Sequence, residues 1–222
     1  MQLQPIVSDS SPICLIGGAR ISEPAFLQAL EHAKTLVAVD SGADFLMARN
    51  RVPAAVIGDL DSLSDRARVH FADRLCHISE QSTTDFEKAL TRVKAPCLIA
   101  LGFTGGRLDH LLSVLNVMMR FPESTVVLLD ADDASFVAGA GTHRFMLQKG
   151  TRISVMPVAA VSSVSLAGVV WPFDGQAMAP DGFTSPSNAA SGGPVSLTTS
   201  APVLVTLPRE QLAVALQAVV RG

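Results

Sequence analysis

A chain of 222 residues can form one large domain or two small ones, and its net charge of −3, with acidic and basic residues interspersed, offers no cationic stretch for nucleic acid or an anionic membrane surface. Although 48% of the residues are hydrophobic, Gly, Pro or charge breaks every apolar run well short of the roughly 18 residues a membrane span requires, and residues 1–12 lack the basic start and apolar stretch of a secretory signal, so a cytoplasmic address is expected. Cys14, Cys76 and Cys97 form no Cys-x-x-Cys pair, which removes the zinc knuckle and the dithiol redox motif and leaves small-molecule chemistry favoured.

In chain order, the apolar runs 13–16, 36–39, 54–57, 97–101 and 125–129 predict buried strands. Segments of helical spacing lie between them at 23–33, 45–49, 64–75, 84–93 and 108–120. This alternation predicts an α/β domain whose parallel sheet is covered on both faces. Past Gly141 the character changes: 144–147, 152–155, 163–166, 195–198 and 203–206 read as short strands separated by Gly, Pro and Ser. The expectation is an α/β domain over 1–140 followed by a smaller all-β sandwich over 141–222. Residues 175–194, rich in Gly, Ser, Pro and Ala, predict a long loop, functional or mobile, with 185–188 at its middle. Pro208 is expected to open a final helix through Leu212 and Leu216 to Val220.

Aspartates stand just past the strand-like runs: Asp40 after 36–39, Asp59 and Asp61 after 54–57, Asp109 beyond 97–101. The carboxyl ends of parallel strands share one edge of a sheet, so these residues converge there. Clustered carboxylates repel unless a cation joins them, and Mg²⁺ prefers hard oxygen ligands shared with substrate phosphates. Aspartate also caps helices and fills turns, a reading open to Asp61 ahead of the helix at 64 and to Asp40 ahead of Gly42. In Gly58-Asp59-Leu60-Asp61-Ser62, two carboxylates spaced by two in a post-strand loop favour a shared ion. Asp85 opens a segment in which Thr83 or Thr84 can cap a helix, with Lys88 one turn along on the same face, or simply solvated.

At 101–110 a strand empties into a glycine loop that opens a helix, an arrangement that presents backbone amides to phosphate; an ordinary tight turn is the alternative. Arg107 can add a bidentate clamp on phosphoryl oxygens. Gly17-Gly18-Ala19-Arg20 repeats that logic more weakly, and neither segment matches the P-loop or dinucleotide fingerprint. Of five histidines, only His110 sits in a candidate segment, and none has metal-ligand spacing. The absence of a Gly-x-Ser-x-Gly elbow disfavours a serine hydrolase.

Taken in order, Val39-Asp40-Ser41-Gly42-Ala43, Gly58-Asp59-Leu60-Asp61-Ser62, Thr84-Asp85-Phe86-Glu87-Lys88-Ala89-Leu90, Gly105-Gly106-Arg107-Leu108-Asp109-His110 and Ser187-Asn188 resemble the thiamine pyrophosphokinase family across almost the whole chain. That resemblance implies an N-terminal α/β domain, a C-terminal β-sandwich, and a homodimer with active sites between subunits. It implies Mg²⁺-dependent transfer of pyrophosphate from ATP to thiamine, giving AMP and thiamine diphosphate. Carried over by position, Asp59, Asp61 and Asp85 resemble the magnesium ligands and, with Arg107 and Asp109, the catalytic set. Gly17, Gly18, Asp40, Gln81, Thr84, Lys88, Gly105, Gly106, Arg107 and His110 fall in nucleotide-binding segments. Ser187, Asn188 and Trp171 resemble the thiamine pocket. Trp171 lies in Gly168-Val169-Val170-Trp171-Pro172, similar to the family's Gly-Leu-Lys-aromatic-Pro string; its face would suit a thiazolium cation, although a lone tryptophan is also commonly core.

Departures from the family pattern are Ser41 where a glycine is usual, Asp44 where asparagine is frequent, and a single carboxylate across Glu80 and Ser82. Ala189 and Ala190 stand where an aromatic often follows, leaving Trp171 and Phe183 as candidates to stack on thiamine. Rival readings are another magnesium-dependent phosphotransferase or nucleotide hydrolase on the same scaffold, and a catalytically silent nucleotide- or thiamine-binding regulator.

Overall fold

Short aliphatic runs with every residue buried organise the N-terminal part of the chain, as strands sandwiched between helices require. The structure is a computed structural model that describes residues 4–221, and the chain divides into two units, Met1–Val117 and Met118–Gly222. In the first unit the elements run β1 (Val7–Ser8), β2 (Ile13–Ile16), α1 (Glu23–His32), β3 (Thr35–Val39), α2 (Gly42–Met47), β4 (Ala55–Gly58), α3 (Asp65–His70), β5 (Leu75–His77), α4 (Asp85–Leu90), β6 (Val93–Lys94) and β7 (Leu98–Leu101). Helix α5 (Leu108–Arg120) follows and runs across the division. Strands β7, β2, β3, β4 and β5 pair in that order, all parallel, while β1 and β6 form a separate parallel pair.

Helices pack on this sheet at α1 on β7, α2 on β2 and β3, and α4 on β3 and β4. The chain leaves β2 at Gly17, β3 at Asp40, β4 at Asp59 and β7 at Gly102, so four carboxyl ends open onto one edge. Close backbone approach there requires glycine: a Cβ on Gly17 would lie 2.5 Å from the Gly102 carbonyl oxygen, and one on Gly42 would lie 1.8 Å from that of Ile16. The cysteines are free thiols, and burial pushes Cys14 and Cys97 up to about 12.

The second unit comprises β8 (Val126–Leu129), β9 (Asp133–Ala138), β10 (Gly141–Leu147), β11 (Arg152–Met156), β12 (Val161–Ala167), β13 (Phe173–Met178), β14 (Ser185–Ala189), β15 (Gly193–Thr199), β16 (Val203–Pro208) and α6 (Leu212–Arg221). Within it, β8, β9, β16, β11 and β14 pair antiparallel in that order, and β10, β15, β12 and β13 make a second antiparallel sheet. Phe136 of one sheet meets Phe145 of the other edge-on at 6.0 Å, and α6 packs against β8, β9, β10 and β16. An α/β region followed by an antiparallel, strand-rich region is therefore the fold class expected.

Several elements differ from the sequence expectation. The helix expected over 64–75 stops at His70, and its tail becomes a 3₁₀ turn and the edge strand β5. The helix expected over 84–93 stops at Leu90, where Thr91 and Arg92 turn the chain into β6 to pair with β1. The run 125–129, grouped above with the parallel strands, lies in the second unit and pairs antiparallel with β9. Residues 175–194 are not one long loop: the end of β13, all of β14 and the start of β15 occupy them. Pro208 closes β16, and a 3₁₀ turn at Arg209–Gln211 precedes α6.

At α3 the Ser64 hydroxyl accepts the Ala67 amide at 3.1 Å and caps the helix. Ser64→Ala is expected to cost about 1 kcal/mol, a drop in melting temperature of about 2–4 °C measurable by calorimetry; an unchanged melt would show that the cap is replaced by water.

Candidate functional site

The loop after β4 is built so that two carboxylates share one side. Leu60 takes a φ of 64° and is buried, leaving Asp59 and Asp61 on either side of it to line a cavity of about 610 Å³. Asp40, just past β3, also has a left-handed φ, 48°, and its amide donates to the Ile57 carbonyl at 2.9 Å, tying it to β4. Non-glycine residues in this region are uncommon and concentrate where surroundings hold them for a purpose. Neither Asp40 nor Asp61 caps a helix by its side chain, since α2 has no side-chain cap and α3 is capped by Ser64.

One oxygen each from Asp40, Asp59 and Asp61 lies within 4.8 Å of the others. Asp40 is the buried member, and its Oδ1 makes no hydrogen bond among the described residues. Burial first, then the nearby charges of Asp85 and Asp61, raise its pKa despite a hydrogen bond from the Ser41 amide. A buried acceptor without a donor, set among like charges, calls for a cation, and hard carboxylate oxygens fit Mg²⁺. These residues therefore fit the metal that the sequence implied.

Asp85 stands beside this trio at the start of α4, whose cap is Thr84, accepting the Glu87 amide at 3.3 Å. Its Oδ1 accepts from the Asp59 amide at 3.2 Å and from Lys88 Nζ at 2.9 Å. Lys88 is 1% exposed, so it is no solvated helical lysine; its Nζ also lies 3.5 Å from Asp59 Oδ2. Burial alone would depress its pKa, but Asp85, Asp59 and Glu80 together raise it. Asp59 is lowered although burial opposes this, by hydrogen bonds from the Asp61 amide and the Gln81 side chain and by Lys88. Gln81 reaches Asp59 Oδ2 at 3.1 Å.

The far wall comes from β2 and from the loop before α5. Gly17, Gly18, Gly105 and Gly106 line the cavity. Gly105 and Gly106 have φ of 67° and 127° with no atom closer than 3.8 Å to an added Cβ, so conformation, not space, demands glycine there. Arg107 and His110 line it as well. The Arg107 fork is engaged by Asp109, through Nε–Oδ1 at 3.1 Å and Nη2–Oδ2 at 2.6 Å, both side chains being exposed. That pairing lowers Asp109 and raises Arg107. Asp109 itself is not among the lining residues.

Residues that the sequence reading did not single out complete the cavity. Ser113 and Val114 lie one turn beyond His110 on α5, and i+3/i+4 spacing could have found them. Phe86 and Phe103 meet at 4.9 Å along its wall, a contact between distant segments that no local pattern announces.

The thiamine candidates lie in the second unit. Trp171 is 64% exposed, so it is not core; Ser187 is exposed with a φ of 58°, and Asn188 is buried against the Trp171 backbone. Phe183 is partly exposed and packs edge-on against Phe173 at 5.2 Å.

Comparison with known proteins adds independent findings. Residues 26–128 match the family model described as thiamin pyrophosphokinase, catalytic domain, and residues 142–204 match that described as thiamin pyrophosphokinase, vitamin B1 binding domain. The chain is 26% identical, over an alignment of 231 positions, to thiamine pyrophosphokinase 1 of Arabidopsis thaliana, covering 88% of this chain and 86% of that protein. It is 28% identical over 158 residues to thiamine pyrophosphokinase 3 of rice, covering 63% of this chain and 59% of that protein. Its fold resembles the crystal structure of thiamin pyrophosphokinase from Geobacillus thermodenitrificans, with a TM-score of 0.74 at 23% identity over 89% of this chain and 96% of that one. The Candida albicans thiamin pyrophosphokinase gives a TM-score of 0.76 at 14% identity over 92% of each chain.

Proposed function

We infer the reaction from kinship and geometry together: the chain belongs to the thiamin pyrophosphokinase family, and it transfers the pyrophosphoryl group of ATP to the hydroxyl of thiamine, giving thiamine diphosphate and AMP. The observation that carries this reading is the meeting, in one cavity, of aspartates from the ends of β3 and β4 with the glycine loops that follow β2 and β7. A polyphosphate needs both halves of that arrangement, amides on one side and a metal-binding carboxylate cluster on the other.

In this reading Asp59, Asp61 and Asp85 hold Mg²⁺, with Asp40 as a further candidate from its place in the trio. Mg²⁺ there would neutralise charge on the phosphoryl oxygens as the alcohol attacks the β-phosphorus. The chain's own residues do the rest. Lys88 supplies a fixed ammonium at the cluster. The backbone of Gly105 and Gly106 approaches phosphate closely, and Arg107 exchanges its Asp109 partner for phosphoryl oxygens when nucleotide enters. Gly17, Gly18, Gln81, Thr84 and His110 complete the nucleotide contacts. Asp85 and Asp109 remain the candidates to receive the alcohol proton, although positioning dominates phosphoryl transfer. Ser187, Asn188 and Trp171 form the thiamine side.

The same reading makes the active form a cytoplasmic homodimer with active sites between subunits, residues 1–140 carrying catalysis and 141–222 carrying thiamine binding and dimerisation. No helix among the described residues is long and apolar enough to cross a membrane.

Incubating the purified protein with ATP, Mg²⁺ and thiamine is expected to yield equimolar AMP and thiamine diphosphate by chromatography, and neither product in EDTA. AMP formed only with a different alcohol would reassign the acceptor. Tight thiamine or ATP binding without AMP would reduce the protein to a regulator.

A further inference from the structure

Trp171 combines an exposed ring with a tethered backbone. Its indole is largely open to solvent, yet a single buried side chain grips its peptide groups on both sides: Asn188 Nδ2 donates to the Trp171 carbonyl at 2.7 Å, and Asn188 Oδ1 accepts the Trp171 amide at 3.2 Å. The same Oδ1 accepts the Ala189 amide at 2.9 Å. Main-chain contacts extend the seam, with the Val170 amide donating to Ala189 at 2.8 Å and Val169 bridging Ala190.

Strand β14 is distorted in a way that aims Asn188 at this task. Its register against β11 shifts between Ile153 and Val155, and Ser187 adopts a left-handed φ of 58°. Two consecutive residues, Pro186 and Ser187, are exposed where a regular strand would bury one of them. The Ser187 amide, turned out of the ladder, is met by Ser154 Oγ at 3.1 Å. The extra residue puts Asn188 on the inner side, beneath the Trp171 segment.

We propose that Asn188 is a positioning residue for thiamine, acting by holding the Trp171 indole in a presented orientation and not by contacting the vitamin. The proposal rests on the reading that Trp171 faces thiamine. Its physical basis is an inventory: a side-chain amide has two acceptor lone pairs and two donors, and both acceptor sites and one donor of Asn188 are already spent on backbone. Fixing the φ and ψ of Trp171 narrows the rotamers open to its ring, because the allowed χ1 depends on the backbone. Holding it in advance removes an ordering cost from binding a flat cation.

Trp171 is the single tryptophan of the chain, so its emission reports on this clamp alone. In Asn188→Ala the fluorescence anisotropy of Trp171 in the free protein is expected to fall. The KM for thiamine is expected to rise about tenfold, with the KM for ATP within twofold of the original. Trp171→Ala alone should raise the thiamine KM, and adding Asn188→Ala to it should change nothing further. Additive effects of the two substitutions would mean that Asn188 touches thiamine, and unchanged anisotropy in Asn188→Ala would mean that no clamp exists; either overturns the proposal. A thiamine KM indifferent to Trp171→Ala would instead remove the thiamine reading of Trp171 and the proposal with it, a result separable from failure of the clamp because anisotropy is read without substrate. Should Asn188→Ala melt below the assay temperature, Asn188→Asp, which keeps the acceptor and removes the donor to the Trp171 carbonyl, is read by the same criteria.

Discussion

Asp59→Ala is expected to slow AMP formation from ATP and thiamine at least about a thousandfold, while the protein in EDTA melts within a few degrees of the original. The activity loss follows from position: Asp59 supplies one of the three oxygens that fall within 4.8 Å of one another and also receives Gln81 and Lys88. Without it the remaining pair includes Asp40, whose pKa burial and the charges of Asp85 and Asp61 raise. A divalent ion held by fewer charged oxygens is displaced or misplaced, and misplacement alone is costly in phosphoryl transfer. The small effect on folding is expected because Lys88 keeps its closer partner, Asp85 at 2.9 Å, and truncating a partly exposed carboxylate opens no apolar cavity. Thermal melts with and without Mg²⁺ separate these effects, since a ligand that binds only the folded chain raises the melting point of the parent and not of the variant. Near-parental turnover with a parental response to Mg²⁺ would remove Asp59 from the metal site.

Much of this site is legible in the sequence because its chemistry is local. Asp59 and Asp61 are spaced by two in one loop, and the glycines after β2 and β7 follow aliphatic runs directly, so residue type and neighbourhood already state the role. What local pattern could not state is which of two readings a side chain obeys. Lys88 on a six-residue helix reads equally well as solvated or buried, and only the packing of α4 on β3 and β4 puts it at 1% exposure. The same holds for Asp40, where a helix-capping role was open and the structure instead leaves Oδ1 without a donor. In the second unit, β13 and β14 escaped detection because Phe-Asp-Gly-Gln-Ala-Met is mostly exposed and Ser-Pro-Ser-Asn-Ala is almost wholly polar, so neither carries an apolar alternation. Those strands exist through pairing, β13 with the preceding β12 and β14 with the more distant β11, an effect that outweighs weak local propensity.

Lys88→Met is the second large effect, and it is expected to act on stability and activity with opposite dependence on the cation. Methionine matches the length of the lysine stem, so the apolar packing survives and only the ammonium is lost. In EDTA that loss leaves Asp85 and Asp59 without a counter-charge and should cost about 1–2 kcal/mol, below the scale for a fully buried pair because the two carboxylates keep part of their contact with water. The raised pKa of Lys88 gives the sign of the pH dependence. A lysine whose folded pKa exceeds its unfolded value of 10.5 contributes fully at neutral pH, and that contribution fades only as pH climbs through the raised value. The parent advantage over Lys88→Met should therefore be flat near neutrality. It should shrink towards low pH, where the orphaned carboxylates of the variant take up protons. Added Mg²⁺ should recover most of the lost stability, because a divalent ion replaces the missing charge and meets less repulsion in the variant. Catalysis should not recover: kcat/KM is expected to remain about a hundredfold low at saturating Mg²⁺, since a metal cannot stand where the ammonium reaches the developing phosphoryl charge. Urea melts across pH in EDTA and in Mg²⁺, read beside initial rates, test both halves. Parental stability in EDTA would show that the Lys88–Asp85 pair carries no net weight, and full activity restored by Mg²⁺ would make Lys88 a stand-in for the metal instead of a partner to it.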